Sequence, residues 1–261
     1  MSDSQKMPVL FAAHGTPMNA ITDNPFRERW AEWGTELPRP KAILAISAHF
    51  YTRGTHVTAM AKPPTIHDFY GFPQALFDVQ YPAPGSPELA KRVADLLAPV
   101  PVGLDQEGWG LDHGTWSVLM HMFPKADIPV VQLSMDGTQP HRFHYELAKR
   151  LRPLRDEGVM VIANGNVVHN LRTLNRSEQA APADWCVSFE TKVKALLEKG
   201  DHQALIDYEA LGQDALLSVP SPDHYLPLLY AIALQDKGEA MSFPLSGHHL
   251  HSLSMLSVQI G

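Results

Sequence analysis

Histidine is the residue type in this chain most able to do chemistry. There are 14 histidines and one cysteine, Cys186, in 261 residues. A transition metal bound here would therefore be held by imidazole and carboxylate, with no thiolate cluster and no intrachain disulfide. Two histidines share one placement. In Val9-Leu-Phe-Ala-Ala-His14-Gly15-Thr16-Pro17 a continuous apolar run, the pattern of a strand buried on both faces, delivers an imidazole to a Gly/Pro turn. Ala42-Ile-Leu-Ala-Ile-Ser-Ala-His49-Phe50 repeats the design. Ligands of open α/β sheets collect outside the carboxyl ends of the strands. Two strands each carrying a histidine to that edge meet the requirement of a metal centre. Either histidine alone is more simply a hydrogen-bonded core imidazole; taken as a matched pair, the two readings weigh evenly.

Three more histidines lie at turns. His113, in Gly110-Leu-Asp112-His113-Gly114-Thr-Trp116, opens an apolar helical stretch, where the local reading is an N-capping Asp112 beside a surface imidazole. His169 follows a further apolar run and a Gly/Asn turn, Asn164-Gly165-Asn166-Val-Val-His169-Asn170, and reads equally as a reactive imidazole or a polar helix start. His224 follows Asp223, which suits an N-cap, at the amino end of an apolar helix. His67 sits on an aromatic loop, Thr65-Ile-His67-Asp68-Phe69-Tyr70-Gly71-Phe72-Pro73, that could wall a small-molecule pocket. His248, His249 and His251 cluster near the C-terminus and are expected to be flexible surface groups able to bind metal adventitiously. His56, His121, His141, His144 and His202 have no such context, and the last three are expected to be solvated.

The elements that must position these groups alternate strand and helix. Strands are expected over residues 9–13, 42–47, 57–60, 130–134, 159–164 and 253–260. Helices are expected over 26–37, with Asn24 capping ahead of Pro25, and over 86–97, with Ser86 as cap and Pro87 at the first position. Further helices are expected over 115–122, 142–154, 184–198, 202–205 and 223–234. The pattern is α/β, a mostly parallel central sheet flanked by helices, and a metal site, if the paired histidines form one, would lie at the carboxyl edge of the strands. Residues 63–87, rich in proline, glycine and aromatics, form the longest stretch without a strong element. A loop that long is expected to be ordered and functional.

Composition narrows the class. Lys plus Arg is 21 against 28 Asp plus Glu, a formal charge of −7 that argues against a nucleic-acid groove. No apolar run approaches a membrane span and no signal pattern opens the chain, so a cytoplasmic setting is expected. Neither GxGxxG, GxxxxGK[ST] nor GxSxG occurs, which weakens dinucleotide, nucleotide triphosphate and serine-hydrolase readings.

Seven segments, AHGTP, ISAHF, HDFYGFP, GLDHGTW, ADIPVVQLSMD, NVVHNL and PDHYLPLLY, occur in an order and spacing that resembles the class III extradiol ring-cleavage dioxygenases. The likeness is greatest to the DOPA 4,5-dioxygenase-like branch and runs from about Val9 to the end. It implies a single catalytic domain over residues 1–261 with one non-haem divalent metal. His14 and His49 match the strand-end ligands and His224 the third, a position held by a carboxylate in other branches. His169 matches the acid/base histidine and could also serve as a fourth ligand, while His113 matches a second active-site histidine. The resemblance points to His67 and Tyr225 for substrate binding. Fe(II) is the ion expected for activity, and Zn(II) suits an all-imidazole site as the bound ion. The implied partners are a small-molecule catechol, DOPA-like, and O2, with a muconic semialdehyde as product; oligomeric state is left open. Two rival readings use the same histidines, a zinc hydrolase of an amide or ester and a non-catalytic, metal-stabilised binder of phenolic ligands.

Overall fold

A computed structural model describes residues 6–177 and 180–261. In chain order its elements are β1 (Val9–Ala13), α1 (Pro25–Glu36), β2 (Ala42–Thr52), β3 (Thr55–Thr58), α2 (Gln74–Phe77), α3 (Pro87–Leu97), β4 (Val102–Asp105), α4 (His113–Met122), β5 (Val130–Asp136) and α5 (His141–Ala148). They continue with α6 (Pro153–Asp156), β6 (Val159–Gly165), α7 (Asp184–Lys199), α8 (His202–Ile206), α9 (Gln213–Ser218), α10 (Leu226–Ala233), β7 (Met241–Ser242), β8 (His248–His249), β9 (Leu253–Ser254) and β10 (Val258–Ile260).

Eight strands form one sheet in the order β4-β3-β5-β2-β6-β1-β10-β7. The central four, β5-β2-β6-β1, are parallel, and antiparallel pairings join β3 to β5 and β10 to β1 and β7. Alternation within the apolar runs covers both faces. Phe11, Leu44, Ile46, Val161 and Ala163 pack toward α3, α5, α7 and α10. Leu10, Ala12, Ile43, Ala45, Met160 and Ile162 meet Trp30 and Trp33 of α1 and Trp116 of α4. Continuous apolar strands are what a sheet covered on both sides requires.

Local chemistry sets the helix starts. Asn24 accepts from the Arg27 amide at 3.0 Å and Ser86 from the Leu89 amide at 3.1 Å, each ahead of a proline, as the sequence predicts. Other expectations are corrected. The stretch 142–154 is broken, because Pro153 lacks an N–H and starts α6 afresh after a single-turn 3-10 segment. The closing strand 253–260 is two strands in different sheets, β9 with β8 and β10 with β1. β4 is absent from the sequence reading because its four residues, Val-Gly-Leu-Asp, follow prolines and carry little period. His144 is fully buried rather than solvated, with Nδ1 3.0 Å from the Tyr230 hydroxyl, and His202 is half-buried, with Nδ1 2.9 Å from the Tyr145 hydroxyl. His248 and His249 form β8 and are half-buried, so they are not free surface groups. No helix among the described residues is long and apolar enough to cross a membrane.

Gly165 is where α10 and its preceding turn approach the sheet most closely. A Cβ there would lie 2.3 Å from the His224 carbonyl oxygen. Gly165→Ala is expected to lower stability by about 1–3 kcal/mol through this backbone clash, measurable as a fall in the thermal midpoint. His144 supplies a second test. Burial, then the neighbouring His141, lowers its pKa from 6.5 to about 4. The unfolded chain takes up this proton first, so stability falls as pH drops from about 6.5 to about 4 and levels off below. His144→Gln is expected to remove about 3 kcal/mol of that acid sensitivity, seen as a shallower decline of urea midpoints even if the variant is less stable at neutral pH.

Candidate metal centre and active site

Three adjacent strands, β2, β6 and β1, bring their carboxyl ends together. His14 follows β1, and its amide donates to the Gly165 carbonyl at 3.4 Å, at the end of β6. His49 lies within β2, which runs past the expected end at Ser47 to Thr52. The register with β5 shifts between Ile46 and Tyr51, an irregularity of the kind that re-aims a side chain. His224 comes from the turn before α10, where its carbonyl accepts the Asn166 amide at 2.9 Å. Asn166 fastens the corner: its Oδ1 accepts from the Gly15 amide at 3.3 Å and its Nδ2 donates to the Ser254 carbonyl at 2.8 Å.

These placements bring His14, His49 and His224 together, with one ring nitrogen from each inside a 4.8 Å span. Nε2 of His14 and Nε2 of His49 are 3.1 Å apart. His169 stacks on His224 with ring centroids 3.4 Å apart and planes 4° from parallel. The His113 ring lies 4.0 Å from that of His49 and 5.5 Å from that of His14. All five matched histidines therefore share one place. His14, His113 and His224 are buried, whereas His49 and His169 retain some exposure, which puts the opening of the site on their side.

Two carboxylates hold the imidazoles. Asp223 accepts from Nδ1 of His224 and so is not the helix cap the sequence suggests; α10 starts at Leu226 without a side-chain cap. Asp68 accepts from the His113 amide through Oδ1 and from its Nδ1 through Oδ2, both at 2.9 Å. The same Oδ2 lies 3.3 Å from Nδ1 of His49. Burial works to raise the Asp68 carboxyl, but the hydrogen bonds and charge of His113 outweigh it and hold the pKa below the ordinary value. Asp223 is depressed in the same way, burial opposing and the His224 hydrogen bond prevailing. Burial, followed by the charge of neighbouring imidazoles, pushes His14 and His49 well below the ordinary histidine value. His169 is lowered likewise, by burial and then by His224. These three rings are neutral at neutral pH, the form in which imidazole binds metal or accepts a proton.

The donor set fits a metal. Nε2 of His224 is buried without a hydrogen-bond partner, an arrangement costly for an imidazole with no other use. Three imidazoles converging at the strand ends suit a divalent first-row ion.

Asp112 does cap α4, accepting from the Thr115 amide at 3.1 Å, and also from Ser47 Oγ and Gln132 Nε2, both at 2.7 Å. His113 beside it is 4% exposed, not a surface residue. Tyr225 and His67, expected to bind substrate, engage other partners. Tyr225 is fully buried in the core, its hydroxyl donating to the Leu205 carbonyl at 3.0 Å and its ring 4.4 Å from Tyr208, so it presents no group to the site. His67 turns a ring nitrogen to the Val79 carbonyl at 3.0 Å, and it is Phe69 of the same loop that packs edge-on against His113 at 5.4 Å. Asp68 is the residue the sequence reading passed over, although it lies inside the aromatic segment beside His67. The loop is seated by paired bonds between Ile66 and Leu111 and between Leu111 and Pro64, and by Trp116 Nε1 on the Ile66 carbonyl.

The profile of the catalytic LigB subunit of aromatic ring-opening dioxygenase matches residues 7–255. An Escherichia coli (strain K12) protein named 4,5-DOPA dioxygenase extradiol is 53% identical over 261 residues, covering 99% of this chain and 96% of that one. A Beta vulgaris protein of the same name is 41% identical, covering 85% of each. A crystal structure of an uncharacterized Escherichia coli K12 protein superposes with a TM-score of 0.87 at 48% identity, over 98% of this chain and 100% of that one. With its histidines gathered at the strand ends and these matches along its length, the chain belongs to the LigB family and is an extradiol ring-opening dioxygenase.

Proposed function

We propose that this enzyme opens the ring of a DOPA-like catechol beside its hydroxyl pair, giving a muconic semialdehyde, with Fe(II) held by His14, His49 and His224. The observation that carries the reading is the convergence of three imidazole nitrogens within 4.8 Å at the strand ends. The names of the Escherichia coli and Beta vulgaris relatives support the substrate class. When bound, Fe(II) supplies the redox centre at which catechol and O2 react, a step zinc has no electrons to offer.

The chain's own residues move the protons. His169, held neutral by its surroundings, is the base that takes the second catechol proton. Its stacking on His224 fixes the ring beside the ligand trio. His113, pinned through Nδ1 by Asp68, keeps Nε2 for stabilising charge on bound substrate or oxygen. In this reading the part of His169 is proton transfer rather than a fourth metal bond. The one cysteine is buried, its thiol pushed up to about 12 by burial, and is inert to the chemistry. A reducing, cytoplasmic setting completes the proposal, because Fe(II) must persist there.

Anaerobic loading with Fe(II), followed by air and a panel of catechols including L-DOPA, is expected to give a yellow product with matching O2 uptake. Amide or ester hydrolysis by the zinc-loaded protein, without O2 uptake, would replace the proposal with the hydrolase reading. His169→Ala is expected to lower kcat by about 100-fold or more, with metal content retained; near-wild-type turnover would remove His169 from the acid/base role. His14→Ala, His49→Ala and His224→Ala are each expected to abolish stoichiometric metal binding, measured by elemental analysis after dialysis.

A further inference from the structure

We propose that Asp68 is a shared positioning residue, one carboxylate that fixes both His49 and His113 with their Nε2 atoms free for the site. The inference rests on the ligand and proton-transfer roles proposed above, but its geometric part does not depend on them. A carboxylate oxygen only accepts, so the hydrogen bond from Nδ1 of His113 at 2.9 Å places a proton on that nitrogen, and the same Oδ2 lies 3.3 Å from Nδ1 of His49, a close approach that favours a proton there as well. For His113 the bond to Asp68 occupies Nδ1 and leaves Nε2, and for a metal-ligating His49 a proton on Nδ1 leaves Nε2 as the lone-pair donor. For His49 that atom is the one 3.1 Å from Nε2 of His14. Carboxylate partners of metal-ligating histidines set the tautomer and orientation in this manner.

The one carboxylate faces two rings at once. The His113 amide on Oδ1 locks the carboxylate's rotation, so Oδ2 is presented to the gap between two rings whose centroids are 4.0 Å apart. The loop that carries Asp68 is itself bonded to the segment that begins α4, through Ile66, Leu111 and Trp116. Gly114 completes the fit, since a Cβ there would lie 2.9 Å from Cδ2 of His49. A change in the loop therefore moves both histidines together. His49, Asp68 and His113 could also be read as a second metal trio, their ligand atoms being within 4.8 Å of one another. The two hydrogen bonds from His113 account for its closeness to Asp68, and His49 is assigned to the trio with His14 and His224, so one metal per chain is expected.

The test uses nitrogen-15 histidine NMR on the wild-type protein, first metal-free and then zinc-loaded, together with Asp68→Asn and Asp68→Glu. Wild type is expected to show His113 protonated at Nδ1 in both states and His49 protonated at Nδ1 when zinc is bound. Asp68→Asn is expected to keep its thermal midpoint near wild type yet lose about 10–100-fold in metal affinity by chelator competition. Its kcat should fall more than its KM rises, with part of both losses recovered in Asp68→Glu. A His113 without a proton on Nδ1, metal affinity within twofold of wild type in Asp68→Asn, or two equivalents of zinc per wild-type chain would each overturn the proposal. Should the asparagine variant fail to fold, the wild-type tautomers and zinc stoichiometry decide alone. The tautomer of His113 is read without turnover, so failure of the dioxygenase reading with an Nδ1-protonated His113 leaves the two results distinct.

Discussion

The structure is organised around one electrostatic constraint: five imidazoles must share one largely buried space. Protonated, His14, His49 and His169 would repel one another and would carry unsolvated charge, and both effects hold them neutral. Imidazoles so placed can still point the wrong nitrogen inward. Asp68 and Asp223 answer this by accepting from the outward nitrogens of His113 and His224. A buried carboxylate is costly unless its oxygens are satisfied, and here the histidines themselves satisfy them. Ligand geometry and carboxylate burial thus stabilise one another.

The fold meets this constraint with rigid parts. Strands of a doubly covered parallel sheet end at a common level, so His14 and His49 arrive there by register rather than by loop conformation. His224 has no strand of its own. It is brought in because Gly165 lacks a side chain and because Asn166 binds the His224 carbonyl, the Gly15 amide and the Ser254 carbonyl at once. The residues nearest the chemistry are therefore carried on elements whose movement would cost core packing.

Much of this was legible in the sequence, for identifiable reasons. Apolar runs ending in histidine specify both the strand and the point of delivery, so His14 and His49 could be placed before any coordinates. The caps of α1 and α3 were equally legible, because Asn24-Pro25 and Ser86-Pro87 satisfy local hydrogen-bond rules that tertiary packing does not override. What sequence misses is long-range pairing. Asp223 has the local signature of a cap, yet the imidazole of His224 competes for it and wins. Asp68 lies 45 residues from its partner His113 and has no periodicity to mark it. His144 and Tyr225 read as solvated and site-facing, but their polar atoms are satisfied inside the core by Tyr230 and by the Leu205 carbonyl. Side-chain direction at a helix start depends on what packs over it, and local sequence is silent on that.

The replacement of a carboxylate ligand by His224 has a consequence for charge under the proposed ligand set. Three neutral imidazoles leave a divalent ion with its full charge, whereas a carboxylate in the third position would cancel part of it. Asp223 and Asp68 restore two negative charges one layer further out, through the rings of His224 and of His113 and His49. Coulomb energy falls with distance, so an anion reaching the metal meets a more positive centre than a carboxylate ligand would leave. The site as a whole still approaches neutrality within the protein. That balance favours a substrate that loses protons on binding, as a catechol does, and it gives neutral His169 a thermodynamic reason to accept one.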